Sequence, residues 1–228
     1  MVRVGRCDAP FTFRKPHRVT ITKRAIDLVL STAGLVVLLP LLVVVAILIK
    51  LDSRGPVFYR QVRVGHRGRP FTILKLRSMY VESDRTGGAL TVRSDPRVTR
   101  VGRWLRRSKL DELPQLVNVL LGHMSLVGPR PEVPKYVALY TPEQRRVLEV
   151  RPGITDLASI TFRDENDLLN AADDPERVYV DEILPKKLAI SLEYVDRRGI
   201  IEDFRIMWHT VSRVWLKPRA ADMDRDHT

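Results

Sequence analysis

Acidic residues are scarce in the first half of this 228-residue chain: residues 1–110 hold 6 acidic side chains against 23 basic ones, whereas residues 111–228 hold 21 against 16. The formal charge of +12 therefore comes from the first half, and an anion-facing surface is expected there. Cysteine is almost absent too. The one thiol, Cys7, has no partner in the chain, which excludes an intrachain disulfide and a cysteine-based metal site and fits a reducing compartment. Aromatic residues make up 7% and are not interleaved with the basic segments as a base-stacking surface requires, so no nucleic acid partner is expected. There is no Walker motif and no dinucleotide fingerprint, which removes support for an ATPase or a Rossmann domain. At 44% hydrophobic content the chain is not disordered as a whole, and its length suits one ordinary globular domain.

Charge is also missing, of either sign, from Leu28 to Ile49. As a helix this run reaches about 33 Å, close to the hydrocarbon thickness of a bilayer. A long polar and basic segment precedes it and no small-residue cleavage site follows, unlike a secretory signal. Basic residues flank both ends, among them Lys23 and Arg24 before and Lys50 and Arg54 after, and such flanks favour the cytoplasmic side. Pro40 sits near the middle, where its missing N–H and ring clash favour a kink; each half, about 18 Å, is too short to span. The expectation is a re-entrant membrane helix-break-helix over residues 20–52, broken at Pro40, with a buried core helix as the alternative. Residues 1–19 then form a basic tail, 53–217 a cytosolic domain with interfacial helices, and 218–228 a disordered tail.

The expected fold class is α+β, mostly helical with a small β-hairpin, in a monotopic membrane protein. The hairpin is VFYRQVRVG and RPFTILKLRSM, two alternating segments joined through GHRGR. Residues 82–97, with Gly87-Gly88, read as a loop. Leu110, Leu113, Val117 and Leu120 recur at helical spacing; Ser108 with Asp111 matches a capping box and Pro114 suits a first turn, which puts a helix start near Asp111 and a C-cap at Gly122. A further helix is expected around 142–149. Two more follow, broken at Gly199, the second carrying a stripe of Phe204, Met207, Trp208, Val211, Val214 and Trp215. That stripe is either a core-packing face or an interfacial face with Trp at headgroup level.

Asp111 and Glu112 are the most informative pair. At a helix start among Arg103, Arg106, Arg107 and Lys109, both carboxyls are expected to be ionised and suited to hold a divalent cation or attack an electrophile. The plainer reading is two acids that complement a helix dipole. Lys75, Arg77, Arg106, Arg107, Arg130, Arg151 and Arg163 form a candidate anion-binding set; each alone is an ordinary surface charge, but several sit beside Pro and Gly turns, and the guanidinium fork suits phosphate. A membrane dip beside carboxylates and phosphate-binding arginines suggests chemistry on a phosphate at the lipid surface.

The run RVTRVGRWLRRSKLDELPQLVNVLLGHMSLVGPRP (97–131), with KRAIDLVL (23–30), the Pro-interrupted apolar segment, FTILKLRSM (71–79) and RPGIT (151–155), closely resembles the bacterial monotopic phosphoglycosyl transferases, or bacterial sugar transferases, from about residue 20 to 216. The resemblance implies an enzyme of the bacterial inner membrane, catalytic domain on the cytoplasmic face. It would transfer a sugar 1-phosphate from a UDP-sugar to a polyprenyl phosphate, releasing UMP, at the first membrane step of glycan assembly. It further implies that Asp111 attacks the β-phosphate to form a covalent phosphosugar, that Glu112 ligates Mg2+, and that Lys75, Arg106, Arg130, Arg151 and Arg163 hold phosphates or nearby parts of the donor. Anionic lipids and downstream glycosyltransferases are the expected partners, and a homodimer is compatible. Five positions depart from the common pattern: Lys109 before the dyad, and His123, Asp156, Ser159 and Ser191. They leave the reaction type intact and bear on the sugar pocket. The chain is expected to be a minimal catalytic form. Two rivals stand beside this reading, a direct one-step transfer in which the Asp-Glu pair only binds metal, and a noncatalytic membrane-surface scaffold.

Overall fold

The computed structural model describes residues 20–81, 95–162, 165–170 and 172–215; Cys7, Gly87-Gly88, Arg163 and the 218–228 tail lie outside them. The first element, α1 (Thr20–Asp52), is one helix with Pro40 inside it, so the expected break into two helices is not found. A proline costs its own hydrogen bond and presses on the carbonyl of Val36, but ending the helix there would strand the backbone polar groups of an apolar segment. Only 11% of the apolar stretch is buried, which sets aside the buried-core alternative. The covered stripe runs through Asp27, Ser31, Val45 and Ile49, while Val29, Val36, Val37 and Leu51 face outward.

Both ends of α1 are fastened to the rest of the protein. Near its start, Arg24 donates to the carbonyls of Val119 (2.6 Å) and Leu120 (3.0 Å), and the Asp27 carboxylate accepts from the Leu126 amide (3.1 Å). Lys23 pairs with Asp203, which also accepts from the Tyr194 hydroxyl (2.8 Å). Near its end, Asp52 accepts from the Val101 amide (3.1 Å), and Val45 and Ile49 pack with Leu76, Leu105 and Leu110.

The hairpin forms as expected: β1 (Phe58–Val64) and β2 (Pro70–Leu76) pair antiparallel from Phe58↔Leu76 to Val64↔Pro70. Helix α2 (Arg100–Ser108) starts at a Thr99 cap, and α3 (Gln115–Leu120) ends before Gly122, whose φ of 82° makes it the expected cap glycine. The Asn118 amide fastens α3 to β2, accepting from the Leu74 amide (3.0 Å) and donating to the Thr72 carbonyl (2.8 Å). This bond sets the height of Lys75 against the turn that precedes α3.

Two short strands, β3 (Ser125–Val127) and β4 (Gly153–Thr155), pair in parallel, a contact the turn-like GPRP and RPGIT motifs do not announce. The motifs cross so tightly that a Cβ on Gly153 would lie 2.1 Å from the Gly128 nitrogen, so both positions exclude a side chain. Short helices α4 (Pro134–Val137), α5 (Leu157–Thr161), α6 (Glu165–Asn170) and α7 (Pro175–Val178) follow, with a 3-10 segment at Gln144–Glu149 where a helix is expected. Tyr136, Tyr140, Tyr179, Ile183 and Leu188 centre the largest core cluster.

Helices α8 (Leu184–Arg197) and α9 (Ile200–Trp215) break at Gly199, as expected. The expected stripe on α9 divides: Met207 packs beside the inward Ile206 (1% exposed), whereas Phe204, Trp208 (69%) and Val211 face outward with Ile201. Periodicity identifies an apolar stripe but not what covers it.

Candidate functional site

Lys109, with φ 58°, ends α2 in the left-handed region and turns the chain into a 3-10 turn, Leu110–Glu112. The expected helix start at Asp111 is thus shifted to Gln115. Ser108 donates to the carbonyls of Trp104 (2.9 Å) and Leu105 (3.2 Å), and the expected capping box does not form. Reversal at Lys109 directs both carboxylates inward instead of along a helix rim. Asp111 is 7% exposed and Glu112 9%.

The two acids are held differently. Glu112 Oε1 accepts from Lys75 (2.9 Å) and from Arg130, whose other terminal nitrogen reaches Oε2 at 3.2 Å. Burial alone would raise the Glu112 carboxyl, but Arg130 and Lys75 outweigh it and hold it well below the ordinary range. Asp111 Oδ1 is buried without a hydrogen-bond partner among the described residues. Burial, then the charge of Glu112, pushes its pKa up, against the lowering by Lys75, Lys109 and Arg106. The expectation of two freely ionised acids therefore applies to Glu112 and is reversed in direction at Asp111.

The structure brings some of the predicted cations to this pair and not others. Lys75 and Arg130 bind Glu112 directly; Arg106 is close enough to act on Asp111 while its Nε donates to Ser78 (2.8 Å). Arg77 is taken up elsewhere, donating to the carbonyls of Arg54 (2.8 Å), Ser53 (2.7 Å) and Ile49 (3.3 Å) at the end of α1. Its expected phosphate-binding role is corrected to a helix cap, since cations suit helix C-termini. Arg151 donates to the Gly122 carbonyl (3.0 Å), apart from the dyad, and Arg163 lies outside the described residues.

Glu112, Arg130, Lys109 and Arg107 open onto a cavity of about 440 Å3, within the range of small-molecule sites. Its wall includes residues that no motif singled out: Arg63, Glu132, Tyr136, Tyr179, Glu165 and Lys187. They come from distant segments, and only the GPRP-adjacent position of Glu132 offered a signal. Asp156 and Ser159, two of the departures noted above, also line it. Asp156 caps α5 by accepting from the amides of Ala158 (3.3 Å) and Ser159 (3.2 Å), and burial pushes its carboxyl up. His123 lies against Phe71 instead, 5.8 Å between ring centres, and Ser191 is buried on α8.

No group of three or more His, Cys, Asp or Glu side chains suited to a metal occurs among the described residues. Magnesium commonly takes one or two carboxylates from a protein and the remaining ligands from water and substrate phosphate. The dyad fits that need, because Asp111 Oδ1 is unpartnered and Glu112 Oε2 accepts one long contact, leaving lone pairs on both.

A family model described as bacterial sugar transferase matches residues 18–217. An undecaprenyl-phosphate glucose phosphotransferase of Komagataeibacter xylinus is 44% identical over 85% of this chain and 36% of its own length. The exopolysaccharide production protein PSS of Rhizobium leguminosarum bv. phaseoli is 42% identical over 84% of this chain and 94% of its own. A UDP-glucose:undecaprenyl-phosphate glucose-1-phosphate transferase of Caulobacter vibrioides is 39% identical over 85% of this chain and 69% of its own. The chain thus spans about a third of the first relative and nearly all of the second. The matched range takes in α1, the hairpin, the carboxylate turn and both C-terminal helices, and the chain belongs to the bacterial sugar transferase family.

Proposed function

We propose that the protein transfers a sugar 1-phosphate from a UDP-sugar to a polyprenyl phosphate at the cytoplasmic face of the bacterial inner membrane. The observation that carries this is the buried dyad beside the cavity, with Glu112 fixed by Lys75 and Arg130 and Asp111 Oδ1 left without a partner. The names of the relatives, undecaprenyl-phosphate glucose phosphotransferase among them, support the acceptor and the phosphoryl chemistry.

In this reading an Asp111 carboxylate oxygen attacks the β-phosphorus of the donor. The bond between that phosphorus and the UMP oxygen breaks, UMP leaves, and the sugar phosphate remains on Asp111 as an acyl phosphate. An oxygen of the polyprenyl phosphate then attacks the same phosphorus, the bond to Asp111 breaks, and the products are polyprenyl diphosphate-sugar and a free carboxylate. Two displacements keep two highly anionic substrates from having to react in one encounter. Arg130 and Lys75 hold Glu112 ionised and in place, and Arg106 offsets charge next to Asp111. Bound Mg2+, held through Glu112, would neutralise diphosphate charge.

The membrane reading is supported by the fastening of both ends of α1 to one domain and by the outward apolar faces of α1 and α9. It has α1 enter and leave the membrane on the same side, bending at Pro40 without interrupting the helix, and places the dyad at headgroup depth, where a polyprenyl phosphate presents its charged end.

Detergent-solubilised protein with Mg2+, undecaprenyl phosphate and a panel of UDP-sugars should release UMP, and Asp111→Asn should lower the rate at least about 1,000-fold, as loss of a nucleophile does. Intact-mass measurement without acceptor should show one added sugar phosphate on the parent and none on the variant. Turnover without an adduct would favour direct transfer; absence of UMP release by both proteins would leave a scaffold role.

A further inference from the structure

The acceptor of the proposed reaction is an amphiphile with a phosphate head, and the dyad and its cations leave that head without a positive partner of its own. Most of the charge on the cavity wall is already engaged. Arg130 is bound to Glu112, Arg63 donates to Glu132 (3.1 Å), and Lys187 pairs with Glu165 (2.7 Å). Lys109 and Arg107 differ from these. Both are exposed and line the cavity, and neither side chain makes a hydrogen bond or ion pair among the described residues.

Of the two, Lys109 is the one tied to the chemistry. It stands two residues before Asp111, and its positive charge is felt at both carboxyls of the dyad. Its backbone is left-handed, φ 58° and ψ 15°, a conformation that glycine adopts with less strain. The turn itself makes no use of the lysine side chain, which forms no cap. A free ammonium is thus held at the cavity wall beside the reacting carboxylates.

The rest of that wall distinguishes one phosphate from the other. Leu113 and Leu116, which follow Lys109 in the chain, line the same cavity, and Ile160 of α5 and Val211 of α9 add to an apolar flank. Leu116 reaches α1, where a Cβ on Gly34 would lie 3.4 Å from its Cδ1, and Val211 belongs to the outward apolar face of α9. The cavity therefore has a charged end at the dyad and an apolar flank that joins the two faces turned toward lipid in the membrane reading. A nucleotide sugar gains little from such a flank, whereas burying isoprene units against it is favourable.

We propose that Lys109 binds the phosphate of the polyprenyl acceptor and holds it beside the dyad, with the first isoprene units against Leu113, Leu116 and Val211. The inference rests on the transfer reading and concerns its second displacement, in which an oxygen of that phosphate attacks the phosphosugar.

The test is calorimetric binding of undecaprenyl phosphate and of undecaprenol to full-length protein in a neutral maltoside detergent, for the wild type, Lys109→Gln and Lys109→Arg. The Gln variant should bind undecaprenyl phosphate about 5- to 30-fold more weakly, the range of one charge-assisted hydrogen bond at a partly open site, and the Arg variant should recover most of the loss. Affinity for undecaprenol and the Tm should not change. In turnover, the KM for undecaprenyl phosphate should rise by a similar factor, and the KM for the UDP-sugar at saturating acceptor should stay the same. Unchanged affinity of the Gln variant for undecaprenyl phosphate overturns the proposal, as does equal weakening of undecaprenol with a lowered Tm, which would make the residue structural. A raised KM for the UDP-sugar alone would give Lys109 to the donor, and weakened binding only to phosphatidylglycerol vesicles would give it to bulk headgroups; either result overturns the proposal. Failure of the wild type to bind undecaprenyl phosphate sinks the proposal and the transfer reading together. Absence of UMP release by the wild type, with the Lys109 effect on undecaprenyl phosphate intact, sinks the transfer reading and leaves the subsite standing.

Discussion

Asp111 and Glu112 are adjacent in the chain and almost equally buried, yet their proton affinities move in opposite directions: burial, then the charge of Glu112, raises that of Asp111, whereas Arg130 and Lys75 override burial at Glu112. Two guanidinium and ammonium partners fix Glu112 as an anion, and that anion in turn makes a second charge at Asp111 harder to form. A nucleophilic carboxylate must be ionised, so the first half-reaction should gain rate as pH rises through the raised Asp111 value and lose it below. The measurement is the UMP burst between pH 4 and 8 without lipid acceptor, whose own phosphate titrates near pH 6. The acid limb should fall clearly above the ordinary aspartate value of about 3.9. A limb at or below that value would mean that the cations around the dyad, bound Mg2+ included, outweigh burial.

At the level of elements, one arginine separates motif from role. Arg77 stands in the same strand-derived basic segment as Lys75, and spacing alone makes them equal candidates for phosphate. The α1 C-terminus decides otherwise by presenting free carbonyls at Ser53 and Arg54 that a planar fork can bridge. Arg77→Lys should therefore destabilise the protein by about 2 kcal/mol, seen as a lower Tm in detergent, while the KM for the donor stays unchanged. A raised KM with unchanged Tm would return Arg77 to the site. The same distinction explains what the sequence discloses. The β1–β2 hairpin and the α8–α9 break are local, written in two-residue alternation and one glycine, and both are found. Pairing of β3 with β4 depends on two three-residue strands and the mutual exclusion of side chains at Gly128 and Gly153, and no periodicity encodes it. The dyad was legible because its residues are consecutive; Arg63, Glu132, Tyr136 and Tyr179 converge from separate elements and were not.

For the whole molecule, the basic first half and the two outward apolar faces belong to one arrangement. As a helix of 33 residues, α1 is about 50 Å long, more than a bilayer core of about 30 Å requires. If it crossed the membrane, one end would sit on the far side from the domain. Either the Lys23–Asp203 pair and the Arg24 cap, or the Asp52 and Arg77 contacts, would then be broken, stranding buried charges. The described packing and a simple span thus exclude each other. Single cysteines at Ile21 and Arg54, each in a Cys7→Ser background, should both resist a membrane-impermeant thiol reagent on intact cells and both react once the cells are opened. Labelling of one position alone on intact cells would establish a span, and would require one end of α1 to leave the domain that the other end holds.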